Sequence, residues 1–181
     1  MDMQCVNLAD VHTQEGTILA PAISSMMKHS LIFIALWGGI SSEAFAGVDS
    51  MAGRWSGTGS MKPSDGPREK IQCKVAYDVK RPGKSIKLDL KCASDAYKLM
   101  LSANIEHDGD NISGDWFESE WRQGGKIVGT SSGDLVEARI EGNTVAALVT
   151  IRTTVNRQWF VMDAPGSWVS QVSIELKRDT P

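Results

Sequence analysis

Residues 73–92 read CKVAYDVKRPGKSIKLDLKC, in which two runs of alternating apolar and polar residues flank Pro82-Gly83. Side chains of a β-strand alternate between the two faces of a sheet, so each run predicts a strand with one buried face. A hairpin centred on Pro82-Gly83 pairs apolar residues on one face: Cys73 with Cys92, Val75 with Leu90, Tyr77 with Leu88, and Val79 with Ile86. Pro-Gly suits a type II turn better than the primed turns of tight hairpins. A bulge or longer loop that shifts the register by one residue is therefore the alternative.

The same hairpin predicts a disulfide bond between Cys73 and Cys92. Directly opposed residues of antiparallel strands are close enough for such a bond, most easily at non-hydrogen-bonded pairs. We interpret the bond as a staple that closes a loop of roughly twenty residues. The sequence has no C-x-x-C motif of the kind that redox centres use. Two independent buried thiols are the alternative.

A second hairpin follows the same pattern. Residues 97–105 (YKLMLSANI) and 112–121 (ISGDWFESEW) alternate in polarity, and Asp108-Gly109 between them is a strong turn signal. The remaining chain continues as short alternating runs joined by glycine-bearing turns, and no stretch beyond residue 46 has helical periodicity. The sequence therefore predicts an all-β fold, an antiparallel up-and-down barrel of about eight to ten strands, because closure removes exposed sheet edges.

The segment before the predicted barrel has the pattern of a cleaved export signal. Residues 26–46 place a basic pair before an apolar core and end in A-x-A, the order of a secretory signal peptide. The predicted cleavage site consists of Ala44, Ala46 and Gly47. An uncleaved membrane anchor or a buried strand is the alternative. We interpret residues 1–25 as a non-native extension created by a misassigned start codon, and residues 47–181 as a single β-barrel domain.

This processing predicts a periplasmic or secreted protein that has no stable membrane span after cleavage. Residues 47–181 carry equal numbers of acidic and basic side chains and no basic run. That balance argues against a nucleic-acid partner, and it offers no electrostatic attraction to an anionic membrane.

The run GRWSGTGSM (53–61) places one tryptophan, Trp55, among small residues. Its Gly-Arg-Trp opening resembles the G-x-W motif of calycin barrels, which include lipocalins, avidins and bacterial protease inhibitors. In those families the tryptophan closes one end of the barrel, and an arginine from a late strand packs across it. The resemblance implies that Trp55 is a structural plug with a cation–π contact from Arg139, Arg152 or Arg157. A rigid wall against a bound ligand is the alternative.

A second resemblance covers nearly all of residues 47–181. The runs WSGTGSMKPSDG, EKIQCKVAYDV, LKCASDAYKL, ISGDWFES and VSIELKR, in this order, resemble a family of small exported alphaproteobacterial proteins without an assigned activity. This resemblance implies an all-β fold and a location in the cell envelope. The chain departs from the family pattern at Trp121 and at Trp159-Phe160, so a partner surface is expected there.

The sequence offers little for catalysis, and we predict that the protein is not an enzyme. Residues 47–181 contain one histidine, His107, in a predicted turn, and both cysteines are assigned to the disulfide. We therefore predict no metal site and no cofactor. Glu118 and Glu120 have a spacing that suits glycoside chemistry, but solvated strand glutamates are the favoured interpretation.

Binding is therefore the favoured function. We predict an exported envelope barrel that binds either a small apolar ligand inside or an envelope protein on its surface. The candidate binding surface comprises Trp116, which faces inward, and Phe117, Trp121 and Trp159, which are expected to cluster on the outer wall or rim. A parity shift that makes these residues ordinary core is the alternative to that cluster. The alternative function is a periplasmic inhibitor of a hydrolase, a protease or a lysozyme, which acts through surface loops of a filled barrel.

Overall fold

The computed structural model describes residues 47–180, in which a short 3₁₀ helix, Val48–Met51, precedes ten β-strands. The strands are β1 (Gly53–Pro63), β2 (Glu69–Arg81), β3 (Ser85–Ala93), β4 (Lys98–Asp108), β5 (Asn111–Glu118), β6 (Gln123–Ser132), β7 (Leu135–Gly142), β8 (Ala146–Thr153), β9 (Arg157–Asp163) and β10 (Val169–Arg178). The proposed extension 1–25, the signal peptide 26–46 and two cleavage-site residues, Ala44 and Ala46, lie outside the described residues. Those assignments stay predictions.

The ten strands form one closed antiparallel barrel. Each strand pairs with its neighbours in sequence, and β1 pairs with β10 to complete the ring. The predicted up-and-down barrel is therefore confirmed. Because the strands alternate in direction, the connections fall at two ends. The β2–β3, β4–β5, β6–β7 and β8–β9 turns share one end with the 3₁₀ helix, and the other five connections share the opposite end.

The β2–β3 hairpin has the predicted register. Cys73 pairs with Cys92, and the three apolar pairs between them and the turn are the expected ones. The irregularity expected from Pro-Gly is confined to the end of β2, where Arg81 pairs with Ser85 and Gly83 takes a φ of 64°. The predicted disulfide bond between Cys73 and Cys92 is present.

The closing pair of strands, β1 and β10, approaches very closely at two glycines. A Cβ atom at Gly57 would lie 1.9 Å from the Glu175 carbonyl oxygen, and one at Gly59 would lie 2.0 Å from that of Ser173. Any larger residue at these positions would force the strands apart. The glycines around Trp55 therefore serve barrel closure as well as making room for the tryptophan.

Alternation along the strands sorts the side chains as the sequence indicates. In β8, for example, every second residue is buried, and the residues between them are exposed. The buried apolar side chains form a main core and a smaller cluster of Ala103, Trp116 and Ile127. Between residues 47 and 180, the only helix is the short 3₁₀ turn, and no helix is long and apolar enough to cross a bilayer.

The double variant Cys73→Ala/Cys92→Ala is expected to lose about 2–5 kcal/mol of unfolding free energy, because the open chain gains conformational freedom when unfolded. Urea denaturation followed by circular dichroism measures the change. Treatment with dithiothreitol should move the wild-type midpoint toward that of the variant and leave the variant unchanged. Equal midpoints for the oxidised wild type and the variant would show that the disulfide is not a stabilising staple.

Candidate ligand-binding site

One end of the barrel is closed by Trp55 and the 3₁₀ helix. The Trp55 side chain is fully buried, and its indole N–H donates a hydrogen bond to the Met51 carbonyl oxygen at 2.8 Å. The Arg178 guanidinium lies 4.0 Å from the centre of the indole ring, within the range of a cation–π interaction. Arg178 also donates hydrogen bonds to the Ser50 and Ala52 carbonyl oxygens, which holds the segment before β1 across this end.

The arginine over Trp55 differs from the three expected ones. Arg139, Arg152 and Arg157 have exposed side chains that pair on the surface with Glu141, Asp134 and Glu175, respectively. The expectation was wrong because the sequence does not show which residue of β10 pairs with Trp55. In the closed barrel the opposite residue is Arg178.

A buried polar chain lies at the same closed end. The Tyr77 hydroxyl donates to Gln158 Oε1 at 2.9 Å, and Gln158 Nε2 donates to Thr153 Oγ1 at 2.9 Å. Burial raises the pKa of Tyr77 well above its ordinary value, and the hydrogen bond to Gln158 lowers it by a smaller amount. Tyr77 therefore remains a protonated donor at neutral pH, and the side chains of Tyr77, Gln158 and Thr153 bond to one another at this end of the barrel.

The interior toward the opposite end contains a cavity of about 190 Å³. Its walls are almost entirely apolar and come from strands all around the barrel, for example Leu90, Leu101, Ile127, Ile140, Phe160 and Met162. The few polar lining residues belong to the open end, where Lys98, Glu118 and Gln123 lie. The cavity therefore has an apolar interior and a polar rim, the usual arrangement of a small-molecule site.

Three aromatic rings form a continuous row at the rim of the cavity. Trp168, from the β9–β10 connection, packs on both Tyr97, which precedes β4, and Trp121, which follows β5. Ring centres are 5.8 Å apart for Tyr97 and Trp168 and 5.4 Å apart for Trp121 and Trp168. All three residues line the cavity. We call Tyr97, Trp121 and Trp168 the rim aromatics.

Glu118 is a buried carboxylate at this rim, with 3% of its surface exposed. Its Oε1 accepts hydrogen bonds from the backbone N–H groups of Met100 and Glu120, and its Oε2 accepts one from that of Trp121. The expectation that both glutamates are solvated is therefore wrong for Glu118, because the tight β5–β6 turn folds its own N–H groups over the side chain. Glu120 is exposed, as expected.

The four aromatic residues of the predicted binding surface separate into three locations. Trp116 faces inward, lines the cavity and donates a hydrogen bond to the Glu141 carbonyl oxygen at 3.1 Å. Trp121 lies at the rim. Phe117 on β5 and Trp159 on β9 are exposed on the outer wall.

The expected outer cluster does not form, because β5 and β9 are four strands apart in the barrel. The outward parity of Phe117 and Trp159 is as expected, but their strands place them on different parts of the wall.

Two rim residues, Trp168 and Tyr97, are not among the residues that the sequence indicates for binding. Trp168 directly follows the turn sequence Ala164-Pro165-Gly166-Ser167, and a large aromatic residue beside a turn was the signal for a position at a barrel end. The alternating run 97–105 predicts that Tyr97 begins a strand, whereas β4 begins one residue later, at Lys98. Within residues 47–180, no three His, Cys, Asp or Glu side chains lie together in a way that could hold a metal ion.

The barrel is similar to two solved structures. The S-type phycobiliprotein lyase CPES of Guillardia theta aligns with a TM-score of 0.50 and 15% identity, over 74% of this chain and 91% of the lyase. Rv2717c of M. tuberculosis aligns with a TM-score of 0.58 and 15% identity, over 74% of this chain and 95% of that protein. No protein-family model and no curated protein sequence matches the chain. At this identity the likeness shows the fold, a calycin-like barrel, as the sequence predicted.

Trp55→Ala is expected to lower the unfolding free energy by about 3–5 kcal/mol, because it empties a large, fully buried aromatic site. Thermal or urea denaturation measures the loss. Trp159→Ala, the same change on the outer wall, is the matched control and should cost about 1 kcal/mol or less. If Trp55→Ala keeps wild-type stability, Trp55 is not a structural plug.

Proposed function

We propose that this protein is an exported, non-catalytic barrel that binds a small, mainly apolar ligand in its interior. The observation that carries the proposal is the cavity of about 190 Å³, which is closed at the Trp55 end and extends to the rim aromatics, of which Trp121 is exposed. Apolar atoms moved from water into such a space gain about 25 cal/mol per Å² of buried surface. The ligand's apolar part would occupy the interior, and a polar end would lie at the rim.

The cavity also indicates the size of the ligand. A protein cavity of about 150 Å³ lined by apolar side chains holds a benzene molecule, which has six carbon atoms. By proportion, the cavity of this barrel suits a chain or ring of about eight carbon atoms. The ligand we propose is therefore smaller than most drug-sized molecules.

Binding without catalysis is the simpler interpretation of the side chains near the cavity. Neither cysteine of residues 47–180 offers a free thiol, because Cys73 and Cys92 form the disulfide. His107, the single histidine of residues 47–181, lies at the closed end against Gly47 and Gly83, away from the rim. Among the described residues, the site thus lacks the pairing of a cysteine or serine nucleophile with a histidine base that acyl-transfer chemistry uses.

The hydrolase-inhibitor alternative has less support. It requires a filled barrel that acts only through its loops, whereas the interior contains a cavity. The exposed aromatic residues Phe117 and Trp159 also lie on separate parts of the wall, so they form no joint docking patch.

Export is supported by the signal-like order of residues 26–46 and by the disulfide, which persists in oxidising compartments. When the full chain is produced in a Gram-negative host, the exported protein should have the intact mass of residues 47–181 less two hydrogens. Mass spectrometry of a periplasmic extract measures this. Ala46→Leu should retain the leader, because the cleavage site requires small residues. Wild-type protein with an uncut N-terminus would contradict the prediction.

The binding proposal is tested with 1-octanol, whose eight-carbon chain matches the cavity. Isothermal titration calorimetry should show saturable binding to the wild-type barrel. Ala138→Phe, which places a ring in the cavity, should weaken the affinity at least about tenfold, the equivalent of about 1.4 kcal/mol. Ala146→Phe makes the same change at an exposed position of β8 and should bind like wild type.

Circular dichroism spectra of both variants establish that the barrel is folded. Equal octanol affinity for wild type and a folded Ala138→Phe barrel would show that the cavity is not the binding site. A wild-type barrel that does not bind octanol at all would overturn the proposed function.

A further inference from the structure

The open end of the barrel combines a buried carboxylate with three aromatic rings, and this combination indicates the charge of the ligand's polar end. Resting on the proposed function, we infer that the ligand is an alkylammonium. Its aliphatic chain occupies the cavity, and its cationic head lies between Glu118 and the rim aromatics.

Glu118 is a buried carboxylate with which no cationic side chain of residues 47–180 forms an ion pair. Its three hydrogen bonds all come from backbone N–H donors, which leaves one of the roughly four acceptor positions of a carboxylate open. A buried charge is usually paired, so a cationic group of the ligand is the natural partner.

The same hydrogen bonds work against an anionic ligand. Backbone N–H groups in a tight turn are the common means by which proteins bind carboxylates and phosphates. In this turn the N–H groups of Glu120 and Trp121 are already taken by Glu118, as is that of Met100 on the neighbouring strand. An anionic head would therefore meet the acceptor oxygens of Glu118 and find these donors occupied.

The rim aromatics favour a cation for an independent reason. The face of an aromatic ring carries negative electrostatic potential, and a cation within about 6 Å of the ring centre is attracted to it. Tyr97, Trp121 and Trp168 line the same cavity as Glu118, and the Trp121 backbone N–H bonds to its carboxylate. Two indoles and a phenol that share one cavity with a carboxylate are the groups that recognise alkylammonium ions.

Charges outside the cavity mostly agree with this assignment. A shallow groove that adjoins the rim is lined by Asp95, Glu120 and one cation, Lys98, together with Tyr97 and Trp121. Lys98 is exposed and makes no ion pair with any side chain between residues 47 and 180. Its long side chain can carry the ammonium group away from the rim into water. Among the described residues that line the cavity or this groove, Lys98 is the one cationic side chain; Arg122, which follows Trp121 in the β5–β6 turn, is exposed and lines neither.

The inference is tested with three ligands that share an eight-carbon chain and differ in the head: octylammonium, 1-octanol and octanoate. Calorimetric titration at pH 7 and low salt should give octylammonium about tenfold higher affinity than octanol, with octanoate weakest. Lys98→Met should raise the affinity for octylammonium, because it removes the opposing charge.

Two variants test whether the cationic head of the ligand lies between Glu118 and the rim aromatics. Glu118→Gln should reduce the ratio of octylammonium to octanol affinity toward one. Trp168→Leu should reduce the same ratio without altering the hydrogen bonds of Glu118, so it serves if Glu118→Gln fails to fold. Trp159→Leu, the matched change on the outer wall, should leave the ratio at the wild-type value.

Failure of this inference is distinguishable from failure of the proposed function. Equal affinities of the barrel for octylammonium, 1-octanol and octanoate would overturn the alkylammonium assignment. The cavity would still be a binding site. A preference for octanoate that disappears in Lys98→Met would assign the opposite charge to the head. Absence of binding by all three ligands would overturn both proposals.

Discussion

The pairing of β1 with β10 is the contact on which the rest of this structure depends. An up-and-down sheet of ten strands leaves two edges whose backbone groups are unpaired, and only their mutual pairing satisfies both. Gly57 and Gly59 permit it, because the backbone of β10 passes where a side chain would begin. Closure also brings Arg178 opposite Trp55, so the same strand pair that closes the ring fastens one of its ends.

Closure creates an interior whose two ends are filled differently, and the candidate site follows from that difference. At one end Trp55 and the chain Tyr77–Gln158–Thr153 occupy the space and satisfy their own polar groups. At the other end the side chains along the wall are mostly apolar and do not fill the space across the barrel, which leaves the cavity. A barrel of this strand number has room for a small ligand when its side chains stop short of the axis.

Much of the fold could be predicted because it depends on residues close together in the chain. The register of the β2–β3 hairpin, the Cys73–Cys92 bond and the inward direction of Trp116 all follow from alternation with a period of two. The irregularity expected at Pro-Gly also occurs, but the turn absorbs it at Arg81 and the strand register is unaffected. Local pattern was sufficient wherever neighbouring strands were also neighbours in sequence.

By itself, then, the sequence determined the strands, their pairing along the chain, the disulfide and the face on which each side chain lies. The tertiary structure alone decided that Arg178 covers Trp55, that Trp168 joins Tyr97 and Trp121 at the rim, and that the interior is hollow. The physical reason is distance along the chain. Strand pattern and turn residues act between near neighbours, whereas these contacts join distant segments whose meeting depends on how the ring of strands closes.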